Sequence, residues 1–109
     1  MTEVVYDRAA HRLTLKGHAG ADVPGKDIVC SAMTILAYTY AQACINAATQ
    51  RFAKSDNVYT RFEEGDIEVS IKPYRKYGDM VTVILDNICL GYALLRNRYP
   101  ENLTLEITG

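Results

Sequence analysis

The chain has no tryptophan, two phenylalanines, three prolines and three cysteines among 109 residues. Three cysteines are an odd number and include no Cys-x-x-Cys pair, which excludes a complete disulfide framework and a thiol zinc site. Free thiols in a reducing, cytoplasmic setting are the expectation. If residues 27–50 form one helix, Cys30 and Cys44 lie roughly 21 Å apart along it and cannot be bridged. Charge is also lacking. A net charge of −1 provides no whole-domain attraction to nucleic acid or anionic lipid. Met1-Thr2-Glu3 offers no basic stretch leading into an apolar run, so no signal peptide is expected. No glycine-rich nucleotide loop, metal-ligand cluster or carboxylate pair occurs, and neither cofactor nor metal is expected. Residues 31–50 contain no charge and hold Thr34, Thr39, Gln42, Asn46, Thr49 and Gln50. These make it too polar for a membrane span and better suited to a helix buried on more than one side.

What is present patterns into one domain over residues 1–109. Glu3 to Asp7 and Arg12 to Lys16 read as a hairpin around Arg8-Ala9-Ala10-His11, with His11 as an exposed turn residue. Gly20, Pro24 and Gly25 break the chain into a loop, and a helix follows from 27 to about 53. Val58 to Glu63 and Asp66 to Lys72 form a second hairpin turning at Glu64-Gly65. A helix capped by Asp79 carries Val81, Ile84, Leu85, Ile88, Tyr92 and Leu95 at three- and four-residue spacing until Pro100 stops it. Leu103, Leu105 and Ile107 alternate in a last strand. The order ββαββαβ predicts an α+β fold, with a mainly antiparallel sheet packed against two helices.

Two reactive groups stand twelve positions apart, in Gly17-His18-Ala19-Gly20 and Gly25-Lys26-Asp27-Ile28-Val29-Cys30. Counting Asp27 as the N-cap puts Cys30 at the third helical position, among unpaired N–H groups and at the positive end of the helix dipole. An imidazole and a helix N-terminus both lower a thiol pKa, and the thiolate is the nucleophile. Base, thiol and backbone donors are the parts of acyl transfer through a thioester. Asp27 either caps the helix or orients His18. Cys44 and Cys89 sit inside apolar helical stretches and read as core residues.

These residues resemble the signature of the ribosomal-processing cysteine proteases, the Prp family: a Gly-His-Ala start, a short loop, then Asp-Ile-Val-Cys entering a helix. Leu94-Leu95-Arg96-Asn97-Arg98-Tyr99-Pro100 is similar to the family's closing helix and Tyr-Pro turn. The resemblance implies a cysteine endopeptidase with Cys30 as nucleophile and His18 as base. It also implies a homodimer that removes an N-terminal extension from a large-subunit ribosomal protein. Ser31 and Thr34 depart from the alanine and serine common there, although Thr34 keeps a hydroxyl one turn from Cys30 on the same face. The loop Ala21-Asp22-Val23-Pro24 lacks the family's frequent aromatic. The competing reading is a non-catalytic dimeric module that binds a ribosomal protein or RNA, with Cys30 as packing.

Tyr38 and Tyr40 point to different sides of the first helix, and one of them suits a subunit seam. Lys72, Arg75 and Lys76 with Tyr74 and Tyr77 resemble an RNA-contacting patch. The acidic run Glu63, Glu64 and Asp66 nearby weakens its field. It reads as a solvated loop, and no direct nucleic-acid contact is expected.

Overall fold

The computed structural model describes residues 1–17 and 27–109, with Asp27 in its backbone alone. Strands β1 (Thr2–Asp7) and β2 (Arg12–Lys16) pair antiparallel, with Tyr6 opposite Leu13. Their turn is held by the Asp7 carboxylate, which accepts from the Ala10 amide at 3.2 Å. His11 belongs to that turn but is half-buried, with its Nε2 2.7 Å from the Thr82 hydroxyl. Helix α1 spans Asp27–Thr49, and β3 (Ala53–Glu63) and β4 (Asp66–Pro73) make the second hairpin. A single 3₁₀ turn, Arg75–Tyr77, leads into α2 (Gly78–Arg98), and β5 (Leu103–Thr108) ends the chain.

The sheet order is β3-β4-β2-β1-β5. Three of its four pairings are antiparallel, while β1 and β5 run parallel. The predicted order ββαββαβ and the mainly antiparallel sheet are therefore observed. Alternation decides which face is covered. Val4, Tyr6, Leu13, Leu15, Val69 and Ile71 are buried under the helices. Alternate residues carry charge to solvent, where Lys16 and Arg61 grip Asp66 at 2.6 and 2.9 Å.

Helix α1 buries Val29, Met33, Ala37, Tyr40, Cys44 and Ala47, a stripe at helical spacing. Helix α2 contributes Val81, Leu85, Cys89 and Tyr92. The two are locked together where the Tyr92 hydroxyl donates to the Met33 carbonyl at 2.9 Å and where Gly91 meets Leu36. A Cβ at 91 would stand 2.6 Å from a Leu36 methyl carbon, so glycine sets the closeness of the approach. Asp86 ties α2 to β1 by accepting from the Tyr6 hydroxyl and two Arg8 nitrogens, at 2.8, 3.0 and 2.9 Å. The Arg8 guanidinium holds the Asp86 carboxyl below the usual carboxylate range.

Both helical segments, Ile28–Thr49 and Arg75–Arg98, are long and apolar enough by length and hydropathy to cross a membrane. A third of the first and about a fifth of the second is buried by the protein itself. The stripe that each helix lays on the sheet accounts for part of that hydropathy.

Two boundaries differ from the sequence reading. Helix α1 stops at Thr49 instead of about 53, because Arg51 takes a left-handed φ of 67°. The Phe52 amide then bonds back to Ala47 O at 2.8 Å and the Arg51 amide to Ala48 O at 3.0 Å, closing a Schellman motif. Strand β3 consequently begins at Ala53, with a register irregularity before Val58. Helix α2 starts at Gly78 with no side-chain cap, so Asp79 lies inside the first turn and does not cap it.

Candidate active site

Helix α1 begins at Asp27, which makes Cys30 its fourth residue, one position deeper than a count with Asp27 as cap. Its side chain is half-buried, whereas Cys44 and Cys89 are buried in the core. Burial pushes both of those thiols up to about 12, with the Asp86 charge adding to the effect at Cys89. A thiol with that pKa is protonated at neutral pH and does not act as a nucleophile.

Cys30 opens onto two hollows. The tighter, of about 110 Å³, is walled by Gly17, Thr34, Gly65, Asp66 and Ile67 with Met33 at its base. The wider, about 360 Å³, runs along the outer side of α1 past Ser31, Thr34 and Ile35 to Tyr38. Tyr38 stacks flat on Phe62 of β3, with ring centres 4.7 Å apart.

The tighter hollow exists because two hairpins end at the same place. Gly17 N donates to Gly65 O at 2.9 Å, joining the end of β2 to the β3–β4 turn. Gly17 has φ 92°, and a Cβ there would stand 2.7 Å from the Met1 carbonyl oxygen. Only glycine suits that conformation and that closeness. The position directly before His18 is thereby pinned to the wall of the Cys30 cavity.

Of the four sequence-predicted site residues, Cys30 and Thr34 share both hollows. The Thr34 hydroxyl donates to the Cys30 carbonyl at 2.8 Å, one turn back along the helix. His18 and the Asp27 side chain lie outside the described residues. Asp66, Gly17 and Gly65 line the cavity but are not among the site residues expected from the sequence. Gly17 was legible as part of the glycine-histidine motif, but Asp66 reaches the site only through its register opposite Lys16. Lys16 and Arg61 hold the Asp66 carboxyl below its ordinary range, and its ion pairs lie on the solvent side of the sheet. Among the described residues no group of three or more His, Cys, Asp or Glu side chains is placed to hold a metal ion.

A half-buried thiol in the first turn of a sheet-backed helix, beside a cavity, is an arrangement that a cysteine peptidase can use. The chain belongs to the family described as Cysteine protease Prp, whose model matches residues 1–104. Its fold is similar to the ribosomal processing protease Prp from S. aureus in complex with a substrate peptide, at 17% identity and a TM-score of 0.70. That match covers 99% of this chain and 100% of the other. The same S. aureus protease with a covalently linked product peptide matches over equal lengths at 17% identity and a TM-score of 0.68. SMU.848 from Streptococcus mutans is similar at 22% identity and a TM-score of 0.63, over 98% of this chain and 91% of that one. No curated protein matches the sequence.

Proposed function

We propose that this peptidase uses a Cys30–His18 dyad to cut an N-terminal extension from a large-subunit ribosomal protein in the cytoplasm. One observation carries the reading. The thiol that enters α1 faces the cavity that Gly17 also lines, one residue before the only other reactive side chain of the motif. The relatives support the substrate class, since the S. aureus protein is a ribosomal processing protease with structures holding a substrate peptide and a covalently linked product peptide. Three free cysteines accord with a reducing compartment.

In this reading His18 takes the Cys30 proton and the thiolate attacks the scissile carbonyl. Backbone N–H groups at the start of α1, those of Val29 and Cys30, hold the oxyanion; one such donor is typically worth about 3–4 kcal/mol. His18 then protonates the leaving amine, and water clears the thioester. The peptide reaches Cys30 at the hollow walled by Gly17, Thr34, Gly65 and Ile67. Thr34 supports the turn that carries Cys30, and Asp27 acts at the helix start.

The test is cleavage of a ribosomal protein bearing its native N-terminal extension, in reducing buffer without metal or nucleotide. Cys30→Ser is expected to abolish turnover and retain binding, and His18→Ala to lose activity to a similar extent, because members of a catalytic unit do not act additively. Asp27→Asn is expected to cost far less, since a first-turn carboxylate that acts only on the helix dipole contributes about 0.3–1 kcal/mol. Full-rate cleavage by Cys30→Ser would overturn the reading. Asp27→Asn as damaging as His18→Ala would make Asp27 a third catalytic member.

A further inference from the structure

The end of the molecule opposite Cys30 gathers several cations that take no ion pair among the described residues. The Tyr74 amide donates to Phe52 O at 2.8 Å, Ala53 pairs with Pro73, and the rings of Phe52 and Tyr77 meet at 4.7 Å. These contacts bring the segment after α1 alongside the segment before α2. Arg51 thereby joins Tyr74, Arg75, Lys76 and Tyr77 around an open cleft of about 430 Å³. A neighbouring hollow of about 390 Å³ shares Arg75 and adds His11, Arg12 and Lys72.

The fold removes the objection that the sequence raised. Asp66 stands seven residues from Pro73 along β4, roughly 23 Å away, and it is already held by Lys16 and Arg61. Arg51, Lys54, Lys72, Arg75 and Lys76 take no ion pair among the described residues, unlike Arg8, Arg12, Lys16 and Arg61. Asp56 and Asp79 are the acids in these two segments, and they leave the end cationic. Helix α2 also starts here, with Asp79 in its first turn offsetting the positive end of its dipole.

Arg51 is a second, independent sign. It occupies the left-handed position of a Schellman motif, where glycine is unstrained and an arginine is not. Strain held at a cleft wall points to use. The third sign is aromatic. Tyr74 is 43% exposed beside Arg75, and the Lys76 ammonium lies 5.0 Å from the centre of the Tyr77 ring. Cations interleaved with an open ring match phosphates interleaved with bases. An acidic peptide would use the charge and leave the ring idle.

We propose that this end of the protein binds single-stranded RNA, with phosphates on Arg51, Lys72, Arg75 and Lys76 and a base stacked on Tyr74. The site is about 30 Å from Cys30 along α1 and does not depend on the dyad. A net charge of −1 makes the contact local, with about four phosphates engaged and a log–log salt slope of about −3.

The experiment is fluorescence anisotropy of a labelled oligouridylate, about twelve nucleotides long, against the full chain at roughly 50 and 200 mM salt. Saturable micromolar binding that weakens with salt is expected. The Arg75→Glu, Lys76→Glu double variant should weaken it at least about tenfold, Tyr74→Ala about fivefold or more, and Tyr74→Phe little. Arg51→Gly should weaken binding while raising the melting temperature, a pairing that a damaged fold does not produce. Circular dichroism and melting of each variant check that the chain is folded. Absence of saturable binding at the lower salt overturns the proposal. So does binding that ignores the charge reversals, or binding that polyglutamate displaces as well as RNA does while Tyr74→Ala leaves it unchanged.

Discussion

Three cysteines on two helices illustrate how residue chemistry is decided by position. Cys44 and Cys89 face the sheet and lose solvation, which drives both thiols up to about 12. Cys30 shares neither environment, since it borders two hollows. Iodoacetamide at neutral pH is therefore expected to label one thiol per folded chain, located at Cys30 by peptide mass spectrometry. Cys44 and Cys89 should react only after denaturation. Labelling of Cys44 ahead of Cys30 would contradict the burial that separates them. Two tyrosines make the same point without reactivity. Tyr40 is 0% exposed and meets the Tyr6 ring edge-on at 6.1 Å, while Tyr38, two residues earlier, is 53% exposed and stacks on Phe62.

At the scale of elements, the end of α1 governs the geometry at both its neighbours. Arg51 turns the chain into β3, and Phe52 docks against Tyr77 to fix the entry to α2. An arginine at that φ carries a strain of about 1 kcal/mol. Arg51→Gly relieves it, partly offset by the larger entropy of glycine in the unfolded chain. A rise in melting temperature of roughly 2–4 °C is expected by scanning calorimetry. An unchanged or lowered value would mean that contacts of the Arg51 side chain outweigh the strain.

At the scale of the whole molecule, one face of the sheet is covered by helices and the outer side of the helix layer stays apolar. Ile28, Ile35, Tyr38 and Ile45 on α1, with Val83, Leu90 and Leu94 on α2, remain exposed. Such a surface on a small domain suits a partner, and we propose that the partner is a second copy, seated on the α1 face. Tyr38, not Tyr40, is then the seam residue. Tyr38→Glu would place an unpaired charge in a desolvated contact at about 3 kcal/mol or more. Light scattering at micromolar concentration is expected to read twice the monomer mass for the parent and the monomer mass for the variant. A parent that runs as a monomer throughout would refute the dimer, and a dimeric variant would move the seam away from α1.

Local pattern determined much of this protein. Alternation in Glu3 to Lys16 and around Ile67 to Ile71, and helical spacing in Val81 to Leu95, are set by the pleat and by 3.6 residues per turn, so the order of elements could be read directly. The thiol in the first turn of α1 and the Gly17-His18 motif were legible for the same reason, since both are short-range arrangements. Pairing across the chain was not. That β5 lies parallel to β1, that Asp66 walls the Cys30 cavity opposite Lys16, and that Tyr40 turns inward while Tyr38 turns out all depend on which surfaces bury one another. The same holds for Arg51, which is adjacent in space to Arg75 and Lys76 only because α1 ends where β4 does. Periodicity is a property of neighbours in sequence, whereas a site assembled from four elements exists only once the core has chosen their register.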